Sequence, residues 1–300
     1  MEQKPSRTVI VLAGATASGK TAAAIRLAKE LGTEIISADS RQCYRELNIG
    51  VARPSEAELA AVPHHFIASH SIQDQVTASD FEAYALGKAE EIFKKNDTLV
   101  MVGGTGLYIR AFCEGLDNIP RIETAIREKI VAEYDRFGLG WLQEQVQKKD
   151  PLYYETGEIR NPQRLMRALE VLEATGQSIR SFQKGATAQR DFNVIRVAIE
   201  FSREELDERI YQRVDKMIGD GLEEEARGLI AHRNLNALQT VGYEEMFDYF
   251  DGLYSRDVAI EKIKVHTRQY ARRQFTWFKK DKEIRWLTTN QISLRGLELS

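Results

Sequence analysis

The sequence predicts an α/β fold: a parallel sheet packed with helices, an all-helical insertion, and a helical carboxyl-terminal part. Three observations predict it. Short, β-branched apolar runs alternate with helix-like stretches over the first third of the chain. A glycine-rich loop joins the first of these runs to the first helix. Strand signals then vanish between Pro120 and Asp191 and resume at Val194. That rhythm is one of βαβ units, whose functional site lies at the carboxyl ends of the strands.

The first strand is Thr8-Val9-Ile10-Val11-Leu12-Ala13, short and apolar. It runs into Gly14-Ala15-Thr16-Ala17-Ser18-Gly19-Lys20-Thr21, a complete G-x-x-x-x-G-K-[ST] phosphate loop, and then into an Ala- and Leu-rich helix over residues 21–31. Strand, loop and helix in that order are the context the motif requires, so the core is of the P-loop NTPase-like kind. The glycines let successive backbone N–H groups turn toward phosphate oxygens at the positive end of the helix. Lys20 adds a point charge and Thr21 offers a hydroxyl to Mg²⁺. The loop therefore binds a di- or triphosphate group.

A second strand, Glu34-Ile35-Ile36-Ser37-Ala38-Asp39-Ser40, ends in a polar pair, and an irregular stretch follows through Gly50 and Pro54. A helix starts at Thr77 or Ser79, with Asp80 in its first turn and Phe81, Tyr84, Ala85 and Ile92 turned inward. The third strand, Thr98 to Val102, leads into Gly103-Gly104-Thr105-Gly106-Leu107-Tyr108. Residues 120–191 read as consecutive helices, one of them opened by Asn161-Pro162 and closed before Gly176. Val194-Ile195-Arg196-Val197-Ala198-Ile199 resumes the sheet. Helices then follow over 202–218, 222–231 and 242–250, with a long basic one after them and a last short strand at Ile284-Arg285-Trp286-Leu287. The expected organisation is a core of residues 1–119 and 192–300 interrupted by a helical domain, residues 120–191.

At 300 residues, 43% hydrophobic and 29% charged, the chain has the composition of a soluble globular protein. No apolar run approaches the roughly 18 residues that span a bilayer, and the first seven residues lack a signal-peptide core. A cytoplasmic monomer with no membrane partner is expected. Cys43 and Cys113 stand far apart without metal-ligand spacing and read as small buried residues; His64-His65 read as loop or site-wall residues.

Net charge is −3, yet the charge is unevenly spread. Nine Lys or Arg residues fall between Lys262 and Arg285 against Asp281 and Glu283, interleaved with Tyr270, Phe275, Trp277 and Phe278. On a helix, Lys264, Arg268 and Arg272 share a face, as an element reaching backbone phosphates would have them. A second cluster is Arg160, Arg164, Arg167, Arg180, Lys184 and Arg190. Both point to RNA contact more than to an acidic small-molecule enzyme.

The phosphate loop alone leaves the chemistry open. A hydrolytic motor would place an Asp at the end of the third strand, where this chain has Gly103-Gly104. A small-molecule or nucleoside kinase fits the loop and the sheet, and a non-catalytic RNA-binding protein fits the basic surfaces. Asp39 could be a base, a ligand of a metal-bound water or a loop cap.

The motifs taken together resemble the tRNA dimethylallyltransferases, also called isopentenyl-tRNA transferases, of bacterial type. The resemblance rests on Gly14 to Thr21, Ser37 to Gln42, Gly50-Val51-Ala52-Arg53-Pro54, Pro63-His64-His65, Gly103 to Tyr108, Asn161 to Glu170, Val241-Gly242-Tyr243 and Arg272-Arg273-Gln274-Phe275-Thr276-Trp277. It implies transfer of a dimethylallyl group from dimethylallyl diphosphate to N6 of the adenosine on the 3′ side of the anticodon, releasing pyrophosphate, with Mg²⁺ and without ATP. It also implies that residues 14–21 bind the diphosphate, with Thr21 on the metal. Asp39, Thr16, Lys20 and Arg213 would be catalytic, with Arg209 competing for the place of Arg213. The tRNA anticodon stem-loop would meet Asp39, Ser40, Arg41, Gln42, Thr105, Arg127, Gln163, Arg164, Leu165, Met166 and Arg167, assisted by Arg272, Arg273 and Trp277. The chain departs from the family's pattern at Ala15, Ala38 and Val51-Ala52-Arg53, none of which removes a proposed catalytic group. It has no Cys/His finger at its carboxyl end.

Overall fold

The computed structural model describes residues 7 to 183, 185 and 188 to 298. The amino-terminal segment read for a signal peptide, up to Ser6, and Lys184 of the second basic cluster lie outside the described residues. The chain forms two compact units, residues 1–114 with 189–300, and residues 115–188.

The first unit is built on six parallel strands: β1 (Thr8–Ala13), β2 (Ile35–Ser37), β3 (His64–His65), β4 (Thr98–Gly103), β5 (Asn193–Ile199) and β6 (Arg285–Leu287). Their order in the sheet is β3-β2-β4-β1-β5-β6. β1 lies at the centre, in register with β4 on one side and β5 on the other. Both faces of β1 are buried, which is why it reads as a continuous apolar run. Val9, Val11 and Ala13 point into one core, Ile10 and Leu12 into the other. The second core is closed by α1 (Lys20–Leu31) through Ala23, Ala24, Leu27 and Ala28.

The first core is the larger. Into it pack α3 (Ala78–Phe93), α4 (Gly106–Glu114), α8 (Arg203–Gly219), α9 (Leu222–Leu229), α10 (Tyr243–Phe250) and α11 (Arg256–Phe278). Helix α3 starts where Thr77 and Asp80 form a reciprocal capping box, and Ser202 with Glu205 starts α8 in the same way. The short α2 (Glu56–Ala61), with a Ser55–Glu58 capping box, buries no residue and leads into β3.

The glycines at the end of β4 and just after it hold the strand ends and α11 close together. A Cβ on Gly103 would lie 2.1 Å from the Ala38 carbonyl oxygen, and one on Gly106 would lie 2.1 Å from the Trp277 indole nitrogen. Only glycine fits such approaches.

The second unit contains α5 (Thr124–Lys149), α6 (Pro151–Thr156) and α7 (Pro162–Thr175), with no strand among its described residues. Gly138 breaks the helical geometry inside α5, at φ 75°. Asn161 caps α7, Pro162 occupies its first turn, and Gly176 closes it in the left-handed conformation. Leu142, Val146, Leu165, Met166, Leu169 and Val171 form this unit's own core.

Candidate active site

In the first unit the carboxyl ends of β1, β2 and β4 open into a cavity of about 390 Å³ lined by Thr16, Lys20, Thr21, Ser37, Asp39, Val102 and Gly103. Helices α8 and α11 close it with Arg213, Met217, Ile263, Tyr270, Arg273 and Gln274, and the segment before α10 adds Gln239 to Gly242.

The phosphate loop leaves β1 through Gly14, at φ 154°, and enters α1 through Gly19, at φ 83°. Between them Ala17 takes a left-handed conformation, φ 63°, uncommon for a residue with a Cβ. The buried Ser18 hydroxyl makes no hydrogen bond to another described residue. Lys20 Nζ donates to the Ala15 carbonyl, 3.0 Å away, and so lies folded along the loop.

Lys20 is held down to about 8, first by burial, then by the guanidinium of Arg213, with Asp39 pulling the other way. Burial likewise lowers Arg213, and Asp39 again opposes it. Two desolvated cations thus share the cavity with Asp39, the carboxylate that raises them both, while Glu244 lines the same cavity. A buried pair of like charges is costly unless an anion joins it. Arg209 lies differently: its guanidinium donates to the Ser18 carbonyl at 3.4 Å and does not line the cavity.

Asp39 stands just past the end of β2. Its Oδ1 accepts from the backbone N–H groups of Arg41 (2.9 Å) and Gln42 (3.2 Å), and no bond to its other oxygen occurs among the described residues. The carboxylate is therefore a turn cap on one side and open on the other. Ser40 is fixed by the Thr105 hydroxyl, which accepts from its N–H at 3.0 Å. Arg41 donates to Asn236 Oδ1 (3.1 Å) and to the Gln239 carbonyl (3.3 Å). The Gln42 amide donates to the carbonyls of Val51 and Ala52, holding that wall of the cavity.

One anchor of that wall was not legible in the sequence. Glu225, on α9, accepts from the N–H groups of Asn48, Ile49 and Gly50 at 3.1, 2.8 and 2.9 Å, and from the Tyr243 hydroxyl at 2.6 Å. The Tyr243 ring also fills the space where a Gly50 side chain would stand. Four donors lose their acceptor in Glu225→Ala, so we expect about 3 kcal/mol of stability to be lost, read by denaturant unfolding, with activity falling as the 48–52 segment loosens.

The basic residues fall into different places from those the charge pattern suggested. Lys264 pairs with Asp215 at 2.9 Å, and Arg268 donates to Tyr211 Oη at 3.0 Å, so both are engaged by α8 rather than free for phosphate. Arg190 belongs to the first unit, where it bonds Glu82 and the carbonyls of Ala111 and Phe112. Arg273 lines the cavity; Arg272 and Trp277 do not, although both are exposed on α11.

In the second unit Gln163 and Arg164 are exposed on α7, Arg164 paired with Glu158 at 2.6 Å. Arg127 and Arg167 converge on the buried carboxylate of Glu170, at 2.9 and 3.1 Å. Leu165 and Met166 are corrected as RNA contacts. At 0% and 2% exposure they are core residues, because α7 turns them onto the face opposite Gln163 and Arg164.

A model of the family described as IPP transferase matches residues 42–281. The chain is 46% identical over 288 residues to the tRNA dimethylallyltransferase of Christiangramia forsetii, covering 96% of this chain and 95% of that protein. It is 43% identical to the tRNA dimethylallyltransferase of Cytophaga hutchinsonii, with the same coverage. Among solved structures it resembles the tRNA isopentenylpyrophosphate transferase of Bacillus halodurans, with a TM-score of 0.68, 33% identity, and 94% of this chain and 90% of that one covered. A eukaryotic dimethylallyltransferase solved acting on tRNA gives a TM-score of 0.76 at 25% identity, with 95% and 74% covered. The motifs resemble that family, the parallel α/β core repeats its architecture, and the likeness to its members covers 96% of the chain: the chain belongs to the IPP transferase family, the tRNA dimethylallyltransferases.

Proposed function

We propose that the cavity at the strand ends carries out the family's reaction with Lys20, Thr16, Arg213 and Asp39 as its working groups. The chain is a tRNA dimethylallyltransferase: it moves a dimethylallyl group from dimethylallyl diphosphate to an adenosine of tRNA and releases pyrophosphate. The observation that carries the residue roles is the pair of desolvated cations, Lys20 and Arg213, both held against the carboxylate of Asp39.

The diphosphate fits residues 14–21. Backbone N–H groups at the start of α1 and the unpartnered Ser18 hydroxyl supply donors, and Lys20 and Arg213 supply charge. As the carbon–oxygen bond breaks, charge collects on the departing pyrophosphate, and these fixed groups stabilise it without reorganising. The adenine N6 is a weak nucleophile because its lone pair is delocalised. The open oxygen of Asp39 accepts the proton as the new carbon–nitrogen bond forms. For the base to arrive there it must leave its stack in the anticodon loop.

The residues present suit Mg²⁺. No three His, Cys, Asp or Glu side chains converge among the described residues, so no protein cage exists, but Thr21 lines the cavity beside the diphosphate site. One hydroxyl with phosphate oxygens and water is a donor set that Mg²⁺ accepts. When bound, it adds positive charge against the leaving pyrophosphate. Thr21 would hold it.

Exposed Gln163 and Arg164, together with Arg127 and Arg167 of the second unit, are the proposed tRNA contacts there, and Ser40, Arg41, Gln42, Thr105 and Arg273 those of the first. Arg167→Ala should weaken tRNA binding and lower the slope of log K against log salt by about one. An unchanged slope in a salt titration would return Arg167 to a purely structural partner of Glu170.

The reaction class is tested by pyrophosphate release. Release from dimethylallyl diphosphate that requires tRNA, with no turnover of ATP, is expected. ATP turnover on a small acceptor would instead favour a kinase.

A further inference from the structure

Gln274 is one of few polar side chains buried in the first unit, at 7% exposure, and it comes from α11 rather than from the phosphate loop. Its Oε1 accepts from the backbone N–H of Thr16 at 2.8 Å, and its Nε2 donates to the Gly104 carbonyl at 2.9 Å. The two partners fix the orientation of the amide, since only this one matches donor to carbonyl and acceptor to N–H. Room for it is made by Gly104, where a Cβ would lie 2.2 Å from Nε2. The Gln274 amide thus clamps the phosphate loop after β1 to the glycine loop after β4.

The clamp bears on catalysis because of which N–H it takes. In a phosphate loop the backbone donors ordinarily point at the anion. Here the Thr16 donor is occupied by Gln274, which leaves Thr16 to act through its hydroxyl, on the cavity wall. We propose that Gln274 is a positioning residue for diphosphate binding: by bonding the Thr16 N–H and the Gly104 carbonyl at once, it sets the direction of the Thr16 hydroxyl and fixes the loop for the diphosphate of the prenyl donor. The same helix carries Tyr270 and Arg273 to the cavity, so the clamp ties the diphosphate end of the site to the wall that α11 provides.

This inference rests on the reading of the cavity as a dimethylallyl diphosphate site. Its test is a double-mutant cycle of Gln274→Met, which keeps length and removes both bonds, with Thr16→Val, which removes the hydroxyl. Steady-state constants for dimethylallyl diphosphate and tRNA are measured on each variant, with melting curves alongside. Gln274→Met is expected to raise KM for dimethylallyl diphosphate about tenfold, the loss of roughly one net hydrogen bond, and to leave KM for tRNA within about twofold. In the Thr16→Val background the same change should cost less than about twofold. An equal cost in both backgrounds, or a parallel rise of both KM values, would overturn the proposal and leave Gln274 as packing alone. Should Gln274→Met fail to fold, Gln274→Glu serves. It keeps an acceptor for Thr16 but sets a carboxylate against the Gly104 carbonyl, so it should raise KM for dimethylallyl diphosphate selectively. A wild-type KM there would equally overturn the idea. A wild-type enzyme that transfers no label to tRNA would instead sink the cavity reading, a result that can be told apart from an active enzyme indifferent to Gln274→Met.

Discussion

Replacing Asp39 by asparagine is expected to lower kcat by about a hundred- to ten-thousandfold while tRNA affinity and the melting temperature stay as they were. Asparagine is the informative substitution because Asp39 has two duties on two sides. Oδ1 caps the turn by accepting from the N–H groups of Arg41 and Gln42, and an asparagine oxygen can do the same. What it cannot do is take a proton from the adenine amine. Alanine would remove the cap as well, freeing Arg41 and Gln42 and blurring a chemical loss with a structural one. A variant with normal single-turnover rates would refute Asp39 as the base.

Lys20→Met is expected to lower kcat/KM for dimethylallyl diphosphate by about a hundred- to a thousandfold, the scale set by removing one preorganised charge from a transition state. The wild-type pH profile should carry the same signature. Burial and Arg213 hold Lys20 down to about 8 in the free protein. The ammonium form binds the anion, so kcat/KM should be level below that pH and fall about tenfold per unit above it. In Lys20→Met this limb should vanish. In Asp39→Asn it should move to lower pH, because Asp39 is what pulls Lys20 upward. The sign for stability is the reverse of that for binding. A lysine lowered by folding is bound less tightly by protons in the native state, so stability should rise with pH between about 8 and the ordinary lysine value of 10.5. Bound diphosphate, by restoring the charge, should flatten that rise.

Much of this architecture is written locally. The phosphate loop needs only eight consecutive residues, and β1 shows its burial on both faces in an unbroken apolar run. Thr77 with Asp80 and Ser202 with Glu205 mark helix starts that any reader of capping patterns can find. β3 is different: His64–His65 is too short to show a period, and it is a strand only because β2 pairs with it. Helix α2 has its Ser55–Glu58 capping box but only six residues, none of them buried, so no period shows, and α4 starts inside a glycine run at Gly106.

The site was less legible where residues act on distant backbone. Glu225 serves N–H groups some 175 positions away, and Gln274 reaches Thr16 across 258 positions, neither leaving a local trace of its role. Leu165 and Met166 show the opposite hazard. They sit inside a motif whose neighbours are exposed, but helix periodicity alone separates them from Gln163 and Arg164 and sends them into the core. The same geometry draws Lys264 and Arg268 onto α8, where a count of basic residues sees a free stripe.

The most direct test of the central claim is to incubate the purified protein with radiolabelled dimethylallyl diphosphate, Mg²⁺ and unmodified tRNA, digest the RNA and locate the label. We expect it on one adenosine, on the 3′ side of the anticodon, and appearing at least about a hundredfold more slowly when Asp39→Asn replaces the wild type. Label on no nucleoside with the wild-type protein, or on several scattered ones, would contradict the account.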